Sequence, residues 1–172
     1  MEANGRMLKR NPEPAKKLNR PEVTVTQPKS EPAKAVPTPD TGVGGSSLDN
    51  MVAACAMELM NARNSFHILH LKVTGEGSYA AHKALNTLYD QIPDFVDTLM
   101  EGYQGVAEKI IKCNYVAPRT LDTVADAVGY LRDMYGMINK LQGMLPYSEI
   151  VNNLDLVKDA INSTKYKLLF LK

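Results

Sequence analysis

Residues 48–73 read LDNMVAACAMELMNARNSFHILHLKV, and this stretch decides the fold. Leu48, Val52, Cys55, Leu59, Ala62, Phe66, Leu69 and Val73 recur at steps of four and three, the periodicity of one apolar face along a helix. Gly75 and Gly77 close that helix. Ser78 stands where it can cap a second one, with a stripe through Leu85, Leu88, Ile92, Phe95, Leu99, Tyr103, Val106 and Ile110. The segment from Asn114 to Arg119, which contains Pro118, interrupts the pattern. A third stripe follows through Leu121, Val124, Val128, Leu131, Tyr135 and Ile138, with Thr120 as its expected cap. Gly143 and Pro146 end it, and the fourth runs Ile150, Leu154, Val157, Ile161, Thr164, Leu168 and Leu171. No segment reads as a strand.

Four helices of roughly 20 to 30 residues with near-heptad stripes predict an all-α four-helix bundle built from two antiparallel hairpins. Thr74–Gly77 joins the first hairpin tightly, and a similarly short link joins the second. About ten residues connect the two hairpins, and the pattern leaves open whether they run short or cross the bundle. Gly129 and Gly136 lie seven residues apart in the third helix, each costing about 1 kcal/mol relative to Ala. Close approach of another helix and local flexibility are equal explanations.

Upstream of this body, residues 1–46 have a different composition. They hold seven of the ten prolines, eight Lys and Arg, five acids and few apolar residues. Such a segment buries too little apolar surface to offset its ordering entropy, so it is expected to be an extended or disordered arm. The boundary falls between 46 and 47, with the bundle over 47–172. Arg6, Lys9, Arg10, Lys16, Lys17 and Arg20 are the arm's candidate partner-binding residues. A neighbouring protein ranks ahead of DNA as that partner, because interleaved acids leave few phosphate contacts per chain.

The chain as a whole has 172 residues and a formal charge of +1, so no global field marks a nucleic-acid or membrane-surface protein. No apolar run approaches the ~18 residues of a membrane span. Two cysteines, Cys55 and Cys113, form no disulfide framework and fit a reduced, cytoplasmic setting. Cys55 falls on the first apolar stripe and is expected in the core. No phosphate-binding glycine loop, nucleophile elbow or zinc-type cysteine pair occurs.

The three histidines, His67, His70 and His82, all lie in the first hairpin. Asp97 and Glu101 follow at i,i+4 on the second helix, a spacing by which two carboxylates can share a cation. His82 lies about 22 Å from Asp97 along that helix. One metal therefore reaches both only when a second subunit packs its second helix antiparallel, and a two-fold axis then makes two identical sites.

The run from His70 through Leu71, Lys72, Val73, Thr74, Gly75, Glu76, Gly77, Ser78, Tyr79, Ala80 and Ala81 to His82, then Asp97 and Glu101, resembles the Dps group of ferritin-like proteins. The intervals of twelve, fifteen and four residues agree with that group's His–His–Asp–Glu pattern. The resemblance implies a ferritin-like bundle and a homo-oligomer built on a two-fold dimer. It also implies that His70 and His82 of one subunit, with His67 as a further candidate, meet Asp97 and Glu101 of another. There they would bind and oxidise ferrous iron with peroxide or oxygen. The sequence departs in having Leu71 where the family commonly has Trp. Pro93, inside the second helix, removes the bond to the Tyr89 carbonyl and is expected to kink the approach to Asp97. The alternative is a non-enzymatic ferritin-like structural protein, such as a virus-particle component, docking through its arm.

Overall fold

The computed structural model describes residues 47–172. The arm over 1–46 and its basic residues lie outside the described residues. Within them the regular structure is helical throughout: α1 (Ser47–His70), α2 (Ser78–Ala107), α3 (Val124–Gln142) and α4 (Ser148–Phe170).

Most stripe residues enter the core, whereas Val106 and Leu171 are exposed. Val52, Cys55, Leu59, Ala62, Phe66 and Leu69 of α1 are buried against Leu85, Leu88, Ile92 and Leu99 of α2 and Leu131, Met134, Ile138 and Leu141 of α3. Ile150, Leu154, Val157 and Ile161 of α4 complete the cluster. Burying such side chains contributes about 1.5–3 kcal/mol each, which holds four amphipathic helices together where no one helix would persist alone. Cys55 sits in this core, and burial pushes its thiol up to about 12, so it is inert as a nucleophile.

α1 packs on α2 and α3, and α4 packs on the same two, so the ring of neighbours runs α1, α2, α4, α3. Directions follow from the ends. Lys109, just past α2, bonds Asp49 at the start of α1 at 2.8 Å. Lys72, just past α1, bonds the Leu121 carbonyl and Asp122 just before α3. The chain therefore leaves α2 at one end of the bundle and enters α3 at the other. The connection, residues 108–123, is longer than the sequence pattern suggests, and it crosses the whole bundle. Sixteen residues between Ala107 and Val124 reach at most about 55 Å when extended, ample for the journey.

Arg119 anchors this strap. Its guanidinium donates to Glu58 of α1 at 2.6 Å and to Asp133 of α3 at 2.8 Å, and it lies 4.1 Å over the Tyr130 ring. Partial burial lowers its pKa, but the bonds to Asp133 and Glu58 outweigh that and hold it above its ordinary value. Burial, with the nearby Glu58 charge, raises the Tyr130 phenol.

Four local expectations are corrected. Ile110 belongs to the strap and is 85% exposed, because α2 ends at Ala107. Ser78 is the first residue of α2; Gly77, at φ 75°, holds the cap position without a side-chain bond. Thr120 does not cap α3. Thr123 does, accepting from the Asp126 amide while the Asp126 carboxylate accepts from the Thr123 amide. Gly129 and Gly136 mark no close helix approach, since a side chain at either would meet nothing within 4 Å.

The capping box makes a direct prediction. Thr123→Ala is expected to destabilise the bundle by about 1 kcal/mol, measured by urea unfolding. The Thr123 hydroxyl and backbone bonds hold the Asp126 carboxyl below its ordinary range. A depressed carboxyl stabilises the fold above its unfolded pKa, and the effect is lost as pH falls through the folded value. The difference between wild type and Thr123→Ala should accordingly narrow on acidification. A difference that persists unchanged in acid would remove Asp126 from the account.

Candidate metal centre

Two of the four residues singled out by spacing meet within one chain. His70 is the last residue of α1, and His82 lies in the second turn of α2, so the 71–77 turn folds them together. Gly75 and Gly77 adopt φ of 86° and 75°, a left-handed geometry that glycine takes without side-chain strain and that lets the chain reverse this tightly.

The imidazoles stack with centroids 3.6 Å apart and planes at 22°. Each ring also bonds the other's backbone. His70 Nδ1 donates to the His82 carbonyl at 3.0 Å, and His82 Nδ1 donates to the His70 carbonyl at 3.2 Å. A carbonyl oxygen only accepts, so both bonds require the proton on Nδ1. Nε2 of each neutral ring is then the free lone pair, which is the arrangement a metal-ligating histidine needs. The His70 carbonyl is also one of the acceptors left over at the end of α1, and the clasp satisfies it.

His67 stands one turn before His70, with ring centroids 5.9 Å apart. Its face lies on Tyr89 at 4.4 Å and 23°. Tyr89 in turn presents an edge contact to His70 at 5.2 Å and 84°. The rings of His82, His70, Tyr89 and His67 thus form one continuous cluster across the α1–α2 seam. Tyr89 escapes a search for ligand types. The signal was nonetheless present, because it lies seven residues after His82 and so shares that helix face.

Asp97 and Glu101 lie on α2, exposed, and neither forms an ion pair among the described residues. The helix stays continuous through Pro93. Asp97 is therefore about 22 Å along it from His82 and about 60° round it, on the same general side. One chain does not bring the carboxylates to the histidines. Among the described residues, no group of three or more His, Cys, Asp or Glu could hold a metal ion. Cys113 is a free thiol exposed on the strap.

Elsewhere the polar clusters are structural. Asp49, 6% exposed, accepts from Tyr103 at 2.6 Å and from Lys109, closing the opposite end of the hairpin. Among the described residues no helix is long and apolar enough to cross a membrane.

No curated protein matches the chain. A hypothetical protein from Pyrococcus furiosus is similar in structure, with a TM-score of 0.53 over 72% of this chain and 86% of that one. At 19% identity the likeness speaks for the fold alone. Residues 70–168 match a family of unknown function, DUF5856, and the match begins at His70 and takes in His82, Tyr89, Asp97 and Glu101. Since that span exceeds half of the sequence, the chain belongs to the DUF5856 family.

Proposed function

We propose that this protein is a Dps-like mini-ferritin, binding and oxidising ferrous iron at sites shared between subunits. The observation that carries the reading is the His70–His82 clasp, which commits both Nδ1 atoms to carbonyls and leaves both Nε2 atoms for a ligand. Neutral imidazole with carboxylate is a donor set suited to iron. The second support is the single long crossover between two antiparallel hairpins, the connectivity of ferritin-like bundles. The third is the pair of exposed carboxylates on the α2 face, a fixed distance from the histidines.

Under this proposal, two copies pair their α2 helices antiparallel about a two-fold axis. His70 and His82 of each copy then face Asp97 and Glu101 of the other. Each ferrous ion bound there gives up one electron. Two such electrons, with two protons, reduce one peroxide to two waters. The protein's part is to hold the substrate iron on fixed donors, with coordination positions left for the oxidant.

The test uses the full chain, purified without iron and mixed with ferrous salt and peroxide. Oxidation followed by absorbance is expected to exceed the buffer rate, and His82→Ala or Asp97→Ala should each remove the excess. Equal rates for wild type, the single variants and buffer would sink the proposal.

A further inference from the structure

We propose that Tyr89 is a positioning residue that, backed by His67, fixes the orientation and tautomer of the His70 imidazole. Its use in metal binding rests on the reading above, whereas the ring geometry itself needs no metal. His70 is confined on two sides: His82 covers one face at 3.6 Å, and Tyr89 stands against it edge-on at 5.2 Å and 84°. Such an edge contact opposes rotation of the ring about its own bond. Tyr89 is itself held, being 8% exposed and having His67 on its face at 4.4 Å.

The consequence concerns the proton. The His70 Nδ1–H bond to the His82 carbonyl exists only while the ring keeps its present plane. Without the prop, His70 can turn away from that carbonyl, and its proton can move to Nε2, which closes the atom a metal would use. His67 thereby acts as the outer support of the cluster and not as a ligand. Tyr89 touches neither iron nor oxidant in this scheme.

The test reads the ring nitrogens directly. Nitrogen-15 spectra of the metal-free full chain in mildly alkaline buffer report the tautomer of each histidine. The expected result is Nδ1–H for His70 and His82 in wild type and in Tyr89→Phe, which keeps the ring. Tyr89→Met fills similar volume without a ring and should convert His70 to a tautomer mixture, with far-UV circular dichroism checking the fold. His67→Ala, at a half-buried site, should produce a smaller change of the same kind and serves if Tyr89→Met does not fold. A single Nδ1–H signal for His70 in the folded variants would overturn the role of Tyr89.

Cobalt(II) titration separates this from the metal-centre reading. Wild type and Tyr89→Phe should bind alike, and Tyr89→Met roughly tenfold more weakly with an altered visible spectrum, as for other groups that orient a ligand. Cobalt affinity and spectrum unchanged in Tyr89→Met would also count against the role. If wild type binds no cobalt, the metal centre fails, and the tautomer spectra still decide on Tyr89.

Discussion

Phe66→Ala is expected to lower the stability of the bundle by about 3–5 kcal/mol. Phe66 is fully buried on α1, and its ring lies 5.4 Å from that of Tyr130 on α3, tilted by 45°. Truncation removes the largest side chain of the α1 stripe and one half of an aromatic pair. It leaves a cavity walled by helices that the strap and the short turns hold in place. Domains of this size have roughly 5–15 kcal/mol in hand, so the variant should be near the edge of folding at body temperature. Ile68→Ala provides the contrast, two residues on and facing outward at 51% exposure. It should change stability by no more than about 0.5 kcal/mol. Urea unfolding followed by circular dichroism measures both. Similar losses for the two variants would mean that the α1 stripe is not the seam of the core.

The contrast shows why the body of the fold could be read from sequence. A helical apolar stripe repeats the same information at every turn, and α1 places Val52, Cys55, Leu59, Ala62, Phe66 and Leu69 in the core as spaced. Ends carry no such repetition. Thr120 and Thr123 are equally good caps by residue type, and what selects Thr123 is Asp126 three residues on, which completes the reciprocal pair. The crossover was open for a related reason. Its course is set by Arg119 meeting Glu58 and Asp133, contacts between residues far apart in sequence that no local period encodes. Met134 and Leu141 join the α3 core although the stripe passed over them, because a helix buried on two sides needs a wider apolar face.

The candidate centre was legible to a different degree. The eleven residues between His70 and His82 include a glycine-rich turn, which is enough to infer that the hairpin brings them together. The carbonyl bonds that fix their tautomers depend on backbone positions, and only the folded chain supplies those. The spacing from His82 to Asp97 equally implies separation within a chain, and the continuous α2 agrees with that arithmetic.

Separation within the chain gives the proposal its sharpest consequence, which is complementation between two inactive variants. If each site takes its histidines from one subunit and its carboxylates from another, His82→Ala subunits still supply intact carboxylates. Asp97→Ala subunits still supply intact histidines. Either variant alone has every site broken and should oxidise ferrous iron no faster than buffer. Co-expressed in equal amounts and assembled at random, they regenerate a complete site whenever a histidine donor of one kind meets a carboxylate donor of the other. Each condition holds for half of the subunits, so about one quarter of the sites should be intact whatever the size of the closed assembly. Activity near a quarter of wild type, from a mixture of two dead proteins, has no explanation in a site confined to one chain. An inactive mixture, with wild type active and both variants recovered in one particle, would rule out a site shared between subunits. The antiparallel pairing of α2 would then have to be abandoned along with the shared centre.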